Sequence, residues 1–169
     1  MRFRVEQHVA APLEQVEAAL VDPAFLARLA ELPALGAPAL LDHADDGTVV
    51  RQRVRYRFAG ELAPAVTSVV DPARLTWVEE TTYDRATHRG EHRIVPDHYA
   101  GRLSCSYQTT LHDVGVGAGV GATHRLAEGD LRVRFPLVGG RVEKAIVSGL
   151  VEHADLEAAA LARWLAEQG

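Results

Sequence analysis

The chain has one cysteine, Cys105, among 169 residues. That excludes an internal disulfide and leaves no CxxC pair for a structural zinc site. Aromatic residues make up only 6% of the chain, so its interior must be built from Val, Leu and Ala. No apolar run approaches the roughly 18 residues that a membrane-spanning helix needs, and stable membrane insertion is not expected. The opening MRFRVEQHVAAPLEQ lacks the apolar core of a signal peptide, which makes the cytoplasm the expected location. Positive charge is not in excess. The net charge is −5, whereas a general nucleic-acid binder is normally basic. Repeats, low-complexity tails and linkers are absent. So are HxH and HExxH spacings, and the glycine run 115–121 lacks the Lys-Ser/Thr of a phosphate loop. No metal or cofactor is expected.

The remaining composition is that of an ordinary globular protein, 47% hydrophobic and 24% charged. At this length residues 1–169 are expected to form a single domain with a real core. Residues 2–10 alternate, with Phe3, Val5, Gln7 and Val9 on one face, and predict a half-buried strand. Pro12 suits a helix start, and Asp22-Pro23 is a cap followed by a first-turn proline, so two short helices follow. From residue 38 the pattern turns to strands over 39–43, 48–58, 65–70, 74–83, 87–95, 102–112 and 122–135, the last bulged at Gly129. In the strand 48–58, Val50, Gln52, Val54, Tyr56 and Phe58 oppose the arginines 51, 53, 55 and 57, which read as the solvent face.

Residues 137–168 then read as one long amphipathic helix. Winding at 3.6 residues per turn gathers Val138, Val142, Ala145, Ile146, Gly149, Leu156, Ala160 and Trp164 into a stripe, with Leu150 and Leu161 on its shoulder. Gly149 and His153 stand where large hydrophobes are expected, and Glu157 is one turn from His153. This helix is the element long enough to cover the apolar face of the meander.

The order of elements, the helix pair at Pro12, the stretch Leu75-Thr76-Trp77-Val78-Glu79 and the block RVRFPLVGGRVEK at residues 132–144 carry a resemblance. Over its whole length the chain resembles the START-like (SRPBCC, Bet v 1-like) helix-grip superfamily, and in those two blocks an uncharacterised bacterial branch of it. The superfamily includes plant pollen-allergen proteins, polyketide aromatase/cyclases and lipid-transfer domains. The resemblance implies an α+β fold: a curved antiparallel sheet of about seven strands wrapped around a long C-terminal helix, with two short helices after strand 1. It also implies a deep apolar cavity between sheet and helix. No particular activity follows from it.

Candidate ligand-binding residues are those expected to face that cavity. Gln52, Tyr56, Tyr107, His124 and His153 would be polar anchors, and Trp77, Ile146, Gly149 and Leu150 would shape the wall. The strand 74–83 leaves its facing open: if Trp77 points inward, so does Glu79, which would then need a partner or a shifted pKa. The expected function is binding of a small, largely apolar molecule such as a lipid or polyketide-like metabolite. An enzyme alternative uses the same cavity for cyclase, dehydratase or hydrolase chemistry, with His153 and Glu79 or Tyr56 as acid and base. A third possibility is a protein-interaction module with a filled core, or a homodimer formed through Val147 and Val151.

Overall fold

A computed structural model describes residues 1–33, 36–59, 62, 64–117 and 120–168. The strands are β1 (Arg2–Val9), β2 (Ala39–Asp45), β3 (Val49–Arg57), β4 (Thr76–Asp84), β5 (Arg89–Pro96), β6 (Leu103–Gly117) and β7 (Val120–Val133). The helices are α1 (Leu13–Leu20), α2 (Pro23–Arg28), the single turn α3 (Pro64–Thr67) and α4 (Gly139–Gln168). All seven strands form one antiparallel sheet in the order β1-β7-β6-β5-β4-β3-β2. Strands β2 to β7 make a meander, and β1 returns to pair with β7. The curved sheet grips α4, which is the helix-grip arrangement.

Local chemistry accounts for most of these elements. The Asp22 carboxylate accepts from the Ala24 N–H at 2.8 Å, with Pro23 in the first turn of α2. At the β2–β3 hairpin, Asp45 and Asp46 side chains accept from the backbone of Gly47, Thr48 and Val49. Gly47 has a φ of 89°, which favours a residue without Cβ. Along β1 the burial alternates strictly, with Phe3, Val5, Gln7 and Val9 inside. The β3 arginines lie outside, where Arg53 and Arg93 share Glu80 and Arg55 pairs with Asp97.

Three expectations change. Residues 65–70 are not a strand. Pro64 opens the single turn α3, and Val66 and Val70, four residues apart, are both buried on the same side. Gly129 is not a bulge, because the register runs unbroken through Tyr107↔Gly129. A Cβ there would lie 2.4 Å from the Tyr107 Cβ, 2.5 Å from the Ser106 carbonyl oxygen and 2.8 Å from the Phe3 ring, so the glycine permits close approach. The third change is the phase of α4. Val142, Ala154 and Leu161 are its buried residues, whereas Gly149 is exposed and Leu156 is 37% exposed. Contacts with the strands set the observed phase: the Gln7 amide donates to the Ala154 carbonyl and Arg125 donates to Glu157, turning that side of α4 inward. Val147 packs inward, while Val151 stays exposed.

Among the described residues the interior consists of two apolar clusters. One contains Val9, Val16, Phe25, Leu29, Val50, Leu111 and Leu161. The other contains Phe3, Val5, Cys105, Leu131, Val133, Val142 and Ala154. On β1, β6 and α4 a polar residue lies between the members of the two clusters: Gln7, Tyr107 and Glu157. Val142 and Ala154 anchor α4 at one end of the core, and Leu161 anchors it at the other.

Candidate functional site

The polar residues between the clusters come from six of the strands and from α4, and on the strands parity aims them inward. On β4, Trp77, Glu79, Thr81 and Tyr83 share a face, and Glu79 and Thr81 border an internal cavity. Gln52, Val54 and Tyr56 of β3, His92 of β5, Thr109 and Leu111 of β6, Arg125 of β7 and Glu157 of α4 also line it. Tyr83 of β4 lines it as well, and the rest of its wall is apolar: Leu20, Val21, Phe25, Leu26 and Leu29 from the helix pair and the turn after it. The cavity measures about 90 Å³. A larger depression of about 620 Å³ is open surface on the other side of the sheet, flanked by outward-facing Arg2, Arg4, Glu91, Gln108, Glu128 and Asp130. Its charges pair with one another, as in Arg4–Glu128.

Glu79 is the centre of one hydrogen-bonded set. Its Oε1 accepts from the Tyr107 hydroxyl at 2.5 Å and meets His92 Nδ1 at 2.9 Å. His92 is only 8% exposed. Its ring stacks on Tyr107 at 4.2 Å, nearly parallel, and its Nε2 lies 3.0 Å from the Thr109 hydroxyl. Burial alone would raise the Glu79 carboxyl pKa. The His92 and Tyr107 contacts and the charge of Arg125 outweigh burial and hold it below its ordinary value. Burial and the Glu79 charge push the Tyr107 phenol far upward, which keeps it a donor.

A second set ties α4 to the sheet. Arg125 donates to Glu157 at 3.0 Å and to the Gln7 side-chain carbonyl at 3.1 Å, and the Gln7 amide donates to the Ala154 carbonyl. Arg125 and Glu157 are 14% and 16% exposed. Burial disfavours the Arg125 charge, but Glu157, Tyr107 and Glu79 together keep its pKa above the ordinary value. Arg125 thus pairs directly with Glu157 and reaches Glu79 through its charge alone.

Tyr56 completes the cavity. Its ring stacks on Trp77 at 5.9 Å. Burial, with Glu79 and Glu157 nearby, raises its pKa well above 10, so the hydroxyl keeps its proton. Among the described residues that hydroxyl has no hydrogen-bond partner.

A family model described as a protein of unknown function, DUF2505, matches residues 4–165. The chain belongs to that family. No curated protein matches the sequence. Solved structures share its fold. The protein TTHA0849 of Thermus thermophilus is similar with a TM-score of 0.69 and 16% identity, over 100% of this chain and 99% of that one. The Zhui aromatase/cyclase of Streptomyces sp. R1128 has a TM-score of 0.63 and 16% identity over 99% and 94%. A START superfamily protein from Mycobacterium smegmatis has a TM-score of 0.55 and 17% identity over 99% of both chains. The DUF2505 chain therefore has the START-like, Bet v 1-like fold.

The structure places the expected site residues unevenly around this cavity. Gln52 and Tyr56 line it, Trp77 backs Tyr56, and Tyr107 reaches it through Glu79. Gln52 also donates to the Val21 carbonyl at 2.9 Å and contacts His43, fixing the helix pair to the sheet. His124 faces the opposite side of the sheet, because parity on β7 turns Arg125 inward. On α4, Ile146 packs in the second cluster, Leu150 is 37% exposed, and Gly149 has no atom near the Cβ it lacks. The His153 Nδ1 is buried without a hydrogen-bond partner, and its ring does not border the cavity. Glu157 serves Arg125 instead of His153. Arg125 and His92 belong to the site without having been among the expected residues. On β5, parity with Ile94 turns His92 inward. Counting back by twos from Val133 and Leu131 on β7 points to Arg125.

Proposed function

We propose that the protein binds a small amphipathic molecule between the sheet and α4. The apolar body of the ligand lies against Phe25, Leu26 and Leu29, and its polar end meets Tyr56, Glu79 and Arg125. The observation that supports this most directly is the Tyr56 hydroxyl, protonated, inward-facing and unpartnered among the described residues, within the field of Glu79 and of the Arg125–Glu157 pair. Such a group is completed by a ligand atom that accepts from Tyr56, and the carboxylates beside it favour a ligand that also donates, such as an alcohol or amine. The cavity holds about three waters' volume, below the roughly 300 Å³ usual for ligand sites. A ligand larger than a few heavy atoms therefore enters by displacing side chains of α2.

A chemical role for the same cavity, acid/base catalysis of cyclase, dehydratase or hydrolase type, has one observation in its favour: the Glu79–His92 contact of 2.9 Å. Both ring nitrogens of His92 are occupied, one by Glu79 and one by Thr109. A base would have to break one of these contacts before taking a substrate proton. Binding is therefore the stronger assignment.

The two tryptophans offer a direct test, since Trp77 stacks on Tyr56 and Trp164 packs 6.0 Å from Phe25. A panel of small aromatic and aliphatic alcohols, amines and acids is titrated while tryptophan emission is followed. Native mass spectrometry of freshly purified protein looks for a retained molecule. Binding should be lost in Leu26→Trp, which fills the cavity, and weakened about tenfold in Tyr56→Phe, in line with one lost hydrogen bond. Equal affinity for the filled variant and the native protein would refute the proposal.

A further inference from the structure

On the outer face of the sheet, away from the cavity, three imidazoles stand in a row across three neighbouring strands. His8 of β1 is directly opposite His124 of β7, and His124 is directly opposite His112 of β6. The His8 and His124 rings stack with centroids 4.8 Å apart, and His112 lies 6.2 Å from His124. Glu6, two residues before His8 and so on the same face, places its Oε2 3.2 Å from His124 Nε2. Its other oxygen is held by Arg4 at 2.7 Å. Donor atoms of Glu6, His8 and His124 all fall within 4.8 Å of one another.

From this arrangement we infer a divalent transition-metal site formed by His8, His124 and Glu6, with His112 as a further ligand. Two ligand atoms on one tetrahedral ion with bonds of about 2.0–2.1 Å lie about 3.4 Å apart. The Glu6–His124 pair is already near that separation. His8 is exposed, and among the described residues its ring nitrogens make no hydrogen bond, so a χ rotation suffices to bring it in. His112 is equally exposed on β6. Two or three imidazoles with a carboxylate are a donor set for Zn²⁺, Cu²⁺ or Ni²⁺, not for Ca²⁺ or Mg²⁺, which prefer oxygen. The ligands come from residues 6, 8, 112 and 124, so no local motif announces them; the sheet register assembles them. A bound ion joins β1 to β7 and β6 by side-chain ligation in addition to their backbone ladder.

The test uses untagged full-length protein and the metal ions alone. Calorimetric titration with Zn²⁺ should show one site per chain, weakened at least tenfold in His8→Ala and in His124→Ala and unchanged in His43→Ala and His98→Ala. With Cu²⁺, the electron paramagnetic resonance spectrum should show coupling to at least two nitrogens, lost in the His8→Ala/His124→Ala double variant. Zn²⁺ should raise the melting temperature of the native protein and not of the double variant. Circular dichroism verifies that these outward-facing variants are folded. The inference is overturned if native protein binds Zn²⁺ no more tightly than the double variant, or if the Cu²⁺ spectrum is the same in both. Tryptophan emission reads the cavity separately, so failure of either assignment leaves the other standing.

Discussion

Glu79 sits within the sheet with one oxygen between an imidazole and a phenol. Its folded-state pKa is depressed below the ordinary 4.5. A depressed carboxylate stabilises the fold fully above its unfolded value, and that stability is lost as pH falls through the folded value. The difference in urea unfolding free energy between native protein and Glu79→Gln should therefore be constant above pH 4.5 and shrink as the solution is acidified further. A difference that grows on acidification would contradict the assigned charge state. Arg125 presents the complementary case. Arg125→Met leaves Glu157 and Glu79 buried without their cation and should destabilise by about 3–5 kcal/mol. Adding Glu157→Gln should recover part of that loss in the same denaturation assay, because it removes one of the stranded charges. Cys105, by contrast, is inert: burial and the nearby Glu79 charge push its thiol up to about 12.

At the level of single elements, α4 separates what periodicity can show from what it cannot. Its existence and length are legible in residues 137–168, since a 30-residue helix tolerates small errors at its ends. Its rotation about its own axis is not, because alanines on several sides blur the stripe and the deciding contacts, Gln7 to Ala154 and Arg125 to Glu157, are made with distant strands. Two substitutions test the observed phase, and the one at Gly149, expected inside the stripe, separates it from the expected phase. Leu161→Ala should cost about 2–5 kcal/mol, as for a fully buried leucine, and Gly149→Ala should gain up to about 1 kcal/mol, since the added methyl meets open space in a helix. Thermal melts of the two variants measure both. The end of α4 also reaches the helix pair, where Arg28 of α2 donates to both oxygens of Glu167 at 2.9 Å. The pair is exposed, so Arg28→Ala should change stability by less than about 1 kcal/mol. It should nevertheless speed ligand exchange in stopped-flow fluorescence, because α2 carries the apolar wall of the cavity.

Across the whole molecule, the alternation on β1 and β3 and the proline-marked helix starts make the architecture readable before any coordinates. Strand parity also points Gln52, Tyr56 and Tyr107 inward. The centre of the site is less legible for a physical reason. Strand parity leaves Glu79 open to either face, while His92, Arg125 and Glu157 look like ordinary surface residues in sequence, and only their mutual contacts make their burial affordable. The seven-stranded order has one more consequence. In the chain the other five strands all lie between β1 and its partner, β7; Val5 pairs with Ala127. Until those two segments meet, one edge of the sheet stays open, and Phe3, Val5 and Val9 have no strand beside them. Closing the fold thus waits on its most distant pairing, and long-range pairing of this kind belongs to the millisecond-to-second class of folding.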